Sequence, residues 1–174
     1  LNQYIIADFT FNNACFNSPV YFTDSSVIGT GMGILSWNWD FGDNTYSNIQ
    51  NPVHYYSSAG NYQVRLIVNG IGGVSDTIVK TVSIFNNPVA DFDNSGVCLG
   101  VAKTFTDLST VVNGNIIGWD WNFGNGNSAN GLNHSIIYNS LGNFNVQLVV
   151  TSDNGCIDTI IKTVKVNPLP AISF

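Results

Sequence analysis

Residues 36–68 read SWNWDFGDNTYSNIQNPVHYYSSAGNYQVRLIV, and in this stretch large apolar side chains alternate with polar ones. Trp37, Trp39 and Phe41 occupy every second position, so they project from one face of an extended strand. Residues 62–68 alternate in the same way after a cluster of turn-forming Gly, Asp, Asn and Pro residues. This period of two predicts β-strands joined by turns and no helix.

The pattern is repeated 82 or 83 residues further along the chain. WDWNFGN at 119–125 repeats WNWDFGD, and SLGNFNVQLVV at 140–150 repeats SAGNYQVRLIV. IDTIIKTVKV at 157–166 likewise repeats SDTIVKTVSI at 75–84. An offset that changes by one residue over the whole length indicates an internal duplication.

The duplication predicts two domains, one over residues 1–86 and one over residues 87–167. Residues 167–174 read NPLPAISF and are similar to the start of the second copy. We therefore expect a third copy or a linker over residues 168–174, and a longer natural protein. About seven alternating strands in about 80 residues predict an immunoglobulin-like sandwich of two β-sheets for each copy.

Composition supports an all-β protein and excludes several functions. The chain has no Glu, one Met and only five Lys plus Arg, so it lacks the straight-chain residues that favour helices. A net charge of −6 argues against nucleic acid as a partner, because phosphate binding needs basic patches. No run of about eighteen apolar residues is present, so we expect no membrane insertion.

The motifs resemble those of the PKD domain, an immunoglobulin-like β-sandwich. WDFGDN followed by NPVHYYSSAGNYQVRLIV is similar to the Trp-Asp-Phe-Gly-Asp-Gly turn, the Asn-Pro-x-His-x-Tyr strand and the Gly-x-Tyr-x-Val-x-Leu strand of that family. Copy two departs from the pattern, with Asn122 and Asn125 in place of the two Asp residues and Ile136 in place of the His. The resemblance covers nearly the whole chain.

The resemblance implies a non-catalytic module of a large secreted or cell-surface bacterial protein, similar to those of Bacteroidota. We expect it to space and present other parts of that protein, as a monomer whose partners are neighbouring repeats of its own chain, with adhesion as a further role. The alternative is an accessory module of a secreted hydrolase that binds an extracellular polysaccharide or protein.

The resemblance also implies a set of core positions that recur in both copies. A sandwich of this size needs large inward-facing side chains, so we expect the tryptophan ladder to build the core. Trp37 and Trp119 come earlier on the strand and are predicted to be half exposed, where a glycan-stacking surface is the alternative. The core positions are Trp39, Phe41, Gly42, Tyr56, Trp121, Phe123, Gly124 and Tyr138.

Asp24, Asp40 and Asp43 are candidate calcium ligands, since carboxylate oxygens suit this ion. The competing interpretation is that they close turns by accepting hydrogen bonds from the backbone two residues on. Copy two places Asn122 and Asn125 at two of these positions, which would weaken a charge-dependent site. Turn closure is therefore the prediction, with no cofactor.

No catalytic arrangement is predicted. His54 and His134 are the only histidines, and they do not occupy equivalent positions in the two copies. No Ser-His-Asp or Cys-His combination recurs, and no Cys/His cluster has metal-ligand spacing. The sequence therefore predicts neither an enzyme nor a cofactor-binding site.

Three cysteines occur, and copy two contains two of them, Cys98 and Cys156. The resemblance implies a disulfide between this pair, because similar repeats carry both cysteines together. A simple immunoglobulin-like strand order, however, puts the two residues at opposite ends of the sandwich, and a disulfide requires Cα atoms within about 7 Å.

Overall fold

A computed structural model describes residues 4–31 and 33–170. Within them every regular element is a β-strand, and the chain divides into two compact units, Leu1–Phe85 and Asn86–Phe174. The predicted all-β fold with two immunoglobulin-like sandwiches is confirmed. In the described part of the chain, no helix is long and apolar enough to cross a membrane.

Unit one contains ten strand segments because its outer strands are interrupted by bends. Its main layer is a five-stranded sheet in the order β3-β10-β9-β6-β7, and the opposite layer comprises β2-β4-β8 and the pair β1-β5. The strands are β1 (Ile5–Ile6), β2 (Phe9–Phe11), β3 (Ala14–Cys15), β4 (Val20–Asp24), β5 (Val27–Ile28), β6 (Ile34–Asp40), β7 (Tyr46–Ser47), β8 (Val53–His54), β9 (Gly60–Gly70) and β10 (Ser75–Phe85).

Unit two repeats this topology. Its five-stranded sheet has the order β11-β17-β16-β13-β14, and β12 pairs with β15 in the opposite layer. Isolated bridges from Val89 to Thr110 and from Phe92 to Asp107 take the places of two short pairings of unit one. The strands are β11 (Val97–Cys98), β12 (Ala102–Thr106), β13 (Ile116–Asn122), β14 (Ser128–Asn130), β15 (Asn133–Ile137), β16 (Gly142–Ser152) and β17 (Ile157–Asn167).

The alternating strands bury one face each, as the period of two requires. On β9, Val64, Leu66 and Val68 are fully buried, whereas the intervening Arg65 is exposed. On β16 the equivalent positions of unit two are buried in the same way. The long hairpin β9–β10 therefore covers one side of the core of unit one, and β16–β17 does the same in unit two.

One tryptophan lies at the centre of each core. Trp39 is 1% exposed and Trp121 is 2% exposed. Phe9 contacts Trp39 edge-on at 5.1 Å between ring centroids, and Phe92 contacts Trp121 at 5.2 Å. The two sheets of each unit are thus held together by the same aromatic contact.

The turn after each tryptophan strand is held by a buried tyrosine. The Tyr56 hydroxyl donates to the Phe41 carbonyl at 3.1 Å, and the Tyr138 hydroxyl donates to the Phe123 carbonyl at 3.0 Å. Burial raises the pKa of Tyr56, and it raises the pKa of Tyr138 to about 12. Both phenols therefore remain neutral hydrogen-bond donors at physiological pH.

The predicted disulfide between Cys98 and Cys156 is wrong, because Cys98 is a free thiol. Cys98 on β11 lies beside Asn167, at the end of β17, whereas Cys156 directly precedes the start of that strand. A strand of eleven residues separates the two positions by on the order of 30 Å. The topological objection therefore outweighs the implied pairing.

Residues 168–170 follow β17 without regular structure. The rest of the expected third copy, residues 171–174, lies outside the described residues.

The glycine of each Phe-Gly turn leaves no room for a side chain. Gly124 has a φ of +74°, and a Cβ there would lie 2.6 Å from the Asn145 carbonyl oxygen. Gly126, in the same turn, has a φ of +88° with nothing within 4 Å of a Cβ. A side chain at Gly124 would therefore meet both backbone strain and a steric clash, whereas a side chain at Gly126 would meet backbone strain alone.

We expect Gly124→Ala to lower the free energy of unfolding of unit two by about 2–4 kcal/mol, the sum of left-handed strain and overpacking. Gly126→Ala is the matched control and should cost about 1–2 kcal/mol, from strain alone. Urea denaturation followed by tryptophan fluorescence measures both. Equal losses for the two variants would contradict the role assigned to the close contact.

Candidate functional site

The three candidate calcium ligands are each used within the fold. Asp24 accepts a hydrogen bond from the Trp37 indole at 2.8 Å, and Asp40 accepts one from the Gly42 amide at 3.0 Å. Asp43 accepts from the amide of Thr45, two residues on, at 3.0 Å. Within residues 4–31 and 33–170, no group of three or more His, Cys, Asp or Glu side chains is placed to hold a metal ion. The three carboxylates do not converge on a common point.

Asp43 and His54 form a carboxylate–imidazole contact, the one found among the described residues of unit one. The His54 Nε2 atom lies 2.7 Å from the Asp43 carboxylate, and the ring stacks on Phe41 at 4.1 Å. Partial burial would raise the pKa of Asp43, but hydrogen bonds from Thr45 and His54 outweigh it and hold that pKa below its usual value. Asp43 therefore stays ionised, and its carboxylate holds the turn by accepting hydrogen bonds from Thr45 and His54.

This contact lacks the geometry of a nucleophilic triad. In a triad one imidazole nitrogen faces the acid and the other faces the nucleophile. Here the Thr45 hydroxyl donates to Asp43 at 2.5 Å and lies 3.5 Å from the same Nε2 atom that contacts the carboxylate. In unit two, Ile136 replaces the histidine and Asn125 replaces the acid. The arrangement stabilises one turn and is not repeated.

The first tryptophan of each ladder is half-buried and packs against its own core. Trp37 and Trp119 are both partly buried against the buried clusters of their units. The Trp37 indole donates to Asp24, whereas the buried Trp119 Nε1 atom has no hydrogen-bond partner in the described structure. These rings are occupied in packing, which leaves little of them for stacking on a sugar.

Sequence reasoning missed an Asp-x-x-x-Lys tether that joins the N-terminal segment of unit one to its last strand, β10. Asp76 accepts a hydrogen bond from the Ala7 amide at 2.8 Å, and Lys80 donates to the Phe9 carbonyl at 2.6 Å. Lys80 also pairs with Asp8 at 2.6 Å and lies 5.1 Å from the centre of the Phe9 ring. A single lysine thus binds a carbonyl, a carboxylate and an aromatic face.

Unit two contains the same tether. Asp158 accepts from the Ala90 amide at 2.8 Å, and Lys162 donates to the Phe92 carbonyl at 2.8 Å. The hydrogen bond from Lys162 holds the pKa of Asp91 below its usual value, as that from Lys80 does for Asp8. The recurrence of Ala-Asp-Phe and Asp-Thr-Ile-x-Lys in both copies was the signal that could have revealed this tether.

A buried lysine distinguishes unit two from unit one. Lys103 is 6% exposed and contacts the Asp93 carboxylate at 2.5 Å and the Ser95 hydroxyl at 2.7 Å. Its hydrogen bond lowers the pKa of Asp93 to about 2. Val20 and Thr10 occupy the equivalent positions of unit one. The ion pair is therefore an addition to a framework that also folds without it.

The repeated cores, tethers and turns define a pair of immunoglobulin-like repeat modules whose recurring polar side chains serve the fold. The family model of the PKD domain matches residues 5–84 and 86–167. The chain belongs to the PKD domain family and contains two of its domains in tandem.

Several known proteins are similar to this chain over part of their length. It is 34% identical over 133 residues to the pre-pro-metalloprotease PrtV of Vibrio cholerae, a match that covers 76% of this chain and 14% of PrtV. It is 32% identical over 87 residues to collagenase ColQ1 of Bacillus cereus, covering 50% of this chain and 9% of the collagenase. The chain therefore spans a small part of the length of these relatives.

Solved PKD domains show the same partial likeness. The PKD1 domain of Vibrio cholerae PrtV is 30% identical, with a TM-score of 0.43, and the match covers 47% of this chain and 96% of that domain. The PKD1 domain of Vibrio anguillarum Epp is 27% identical, with a TM-score of 0.45, and the match covers 48% of this chain and 96% of that domain.

The double substitution Lys103→Val with Asp93→Thr replaces the Lys103–Asp93 ion pair by the residues that occupy these positions in unit one. We expect the free energy of unfolding at pH 7 to stay within about 1 kcal/mol of wild type, because Val20 and Thr10 occupy these positions in unit one without an ion pair and replacing a buried charge by an uncharged side chain of fitting size is often neutral. Asp93→Thr alone leaves the buried ammonium unpaired and should cost about 3 kcal/mol. Chemical denaturation at pH 7 compares the variants.

The pH dependence provides a second measurement on the same variants. The folded-state pKa of Asp93 is about 2, below the ordinary 3.8 of an unfolded chain. Its contribution to stability is therefore present above about pH 4 and lost as the pH falls towards 2. The double variant should lose stability less steeply across this range than wild type, and identical slopes would contradict the assignment.

Proposed function

We propose that this chain is a non-catalytic pair of spacer modules in a larger exported protein, which they extend and present. The observation that carries the proposal is the way each unit joins its N-terminal segments to its last strand. Two polar tethers and a parallel strand pairing close each sandwich at the points where the chain enters and leaves. A module that transmits tension needs this closure.

The parallel pairing resists extension because it is loaded in shear. In unit one, β3 runs parallel to the end of β10, with Ala14 beside Ile84. Tension pulls β3 back along its own direction and pulls β10 forward, so the hydrogen bonds between them are strained together and do not open one at a time. In unit two, β11 and β17 are paired in the same sense, with Val97 beside Val166.

The non-local ladders of each unit make its unfolding cooperative. Contacts between residues far apart in sequence must break together before the chain can lengthen. The surface has few charges, so it can stay soluble without long-range attraction of charged ligands. Both properties suit a repeated spacer whose neighbours are further copies of the same domain.

The relatives support an exported parent protein. Their names describe a pre-pro-metalloprotease and a collagenase, and the chain matches 14% of the first and 9% of the second. Such small shares of the relatives' length are consistent with two PKD domains that belong to a larger protein and do not perform its chemistry themselves. We therefore propose export and an accessory role, with the catalytic or adhesive function located elsewhere in the parent.

Stretching single molecules of the two-unit chain tests the spacer proposal. We expect two discrete unfolding events, each lengthening the chain by about 25 nm, since about 80 residues become extended. The measurement is made in reductant so that no disulfide limits the extension. Gradual lengthening without force peaks would contradict the proposal.

A matched pair of variants locates the resistance. The Phe16 amide donates to the Phe85 carbonyl at 2.8 Å beside β3, and the Leu99 amide donates to the Asn167 carbonyl at 2.8 Å beside β11. Proline at either position removes that donor. Phe16→Pro should lower one of the two unfolding forces and Leu99→Pro the other, while thermal melting confirms that each variant still folds. Unchanged forces in folded variants would place the resistance elsewhere.

A further inference from the structure

A pocket of about 350 Å³ opens at the β6–β7 edge of unit one, lined by Asn38, Trp39, Tyr46, Ser47 and Asn48. Its volume falls at the lower end of the range of small-molecule sites. Asp40 pairs with Tyr46 across the two strands, and Trp39 pairs with Ser47. Asn38 precedes Trp39 on β6, and Asn48 directly follows Ser47, the last residue of β7.

Three of the five lining side chains are not used by the fold, whereas the Trp39 indole donates to the Ile49 carbonyl and the Ser47 hydroxyl accepts from the Ile49 amide. Within the described residues, the side chains of Asn38, Tyr46 and Asn48 make no hydrogen bond to another side chain or carbonyl. Tyr46 is 69% exposed, so its ring and hydroxyl are both accessible. Two amides and one tyrosine are thus presented to solvent around one concave surface.

Unit two closes the same position with its own side chains. Asp120, Ser128 and Asn130 replace Asn38, Tyr46 and Asn48. The Asn130 amide donates a hydrogen bond to the Asp120 carboxylate, so the pair that faces solvent in unit one is joined in unit two. The aromatic ring is also absent there. The open pocket is therefore a property of unit one and is not a requirement of the fold.

The chemistry of the pocket selects a neutral, hydroxyl-rich ligand. All five lining residues are uncharged, and the neighbouring Asp40 carboxylate is paired with Arg65 at 3.0 Å. An amide both donates and accepts, which matches the paired hydroxyls of a sugar. An exposed tyrosine ring offers a flat apolar face with a polar tip, which matches the two kinds of surface on a pyranose.

We propose that this pocket binds one residue of a neutral polysaccharide chain. The Tyr46 ring packs against the apolar face of the sugar, and Asn38 and Asn48 bond its hydroxyls. The pocket's position at an open sheet edge lets the remainder of the polymer continue past it on both sides. This binding does not depend on the spacer role, because a spacer with a weak lectin site and one without it resist extension equally.

The test uses the isotope-labelled two-unit chain and soluble neutral hexasaccharides of glucose, xylose and N-acetylglucosamine, titrated one at a time and followed by amide chemical shifts. We expect saturable shifts at Asn38, Tyr46 and Asn48 with at least one of the three sugars. Asp120, Ser128 and Asn130 should not respond, so unit two is an internal control.

Substitutions taken from unit two separate the site from the fold. Tyr46→Ser and Asn38→Asp install residues that the same framework already accepts. Tyr46→Ser should weaken binding about fivefold or more, given the value of a stacked ring. The combined variant should abolish measurable binding. Tyr55→Ser removes a tyrosine that is 61% exposed and does not line the pocket, and it should leave affinity unchanged.

Three results would overturn the proposal. One is the absence of shifts at the pocket with all three hexasaccharides. Another is sugar binding that survives in the combined variant, which would place the site elsewhere. The third is a response of these residues to a triple-helical Gly-Pro-Pro peptide and to none of the sugars, which would assign the pocket to a protein ligand. The stretching experiment is unaffected by any of these outcomes.

Discussion

The structure depends on one buried indole in each unit. The Trp39 Nε1 atom donates to the Ile49 carbonyl at 2.9 Å, and that of Trp121 donates to the Gly131 carbonyl at 2.9 Å. The ring therefore holds the segment after the edge strand while it packs against the phenylalanine of the opposite sheet. An indole buried without such an acceptor would be destabilising, because its N–H group would lose its hydrogen bond to water without gaining another. The same side chain thus packs in the core and fixes the segment that follows the edge strand.

The second common element is the lysine tether between the N-terminal segment and the last strand of each unit. Lys80 and Lys162 keep their ammonium groups beside a carboxylate while their stems cross the ring of a core phenylalanine. The partly exposed carboxylates make each ion pair weak by itself, but the added carbonyl and amide hydrogen bonds fix the strand in place. In a chain with so few charges, these lysines are used for structure.

The two copies differ where the fold permits it. At one equivalent position Val20 is buried in unit one and Lys103 is buried in unit two, where it pairs with Asp93. At the β6–β7 edge, unit one keeps an open pocket with Tyr46, whereas unit two closes it with Asp120 and Asn130. Duplication preserved the core and the tethers and left the edges free to change, and the proposed binding site lies at one of these edges.

The sequence by itself determined the duplication, the all-β class and the central position of Trp39 and Trp121, because strand periodicity and repeat offset are local properties that survive without coordinates. It predicted turn roles for Asp24, Asp40 and Asp43, since a hydrogen bond to a backbone two residues on is also local. Only the tertiary structure decided the free state of Cys98, the partners of Lys80 and Lys103, and the open pocket beside Tyr46. Each of these depends on which ends and edges of distant strands come together, and spacing along the chain carries no such information.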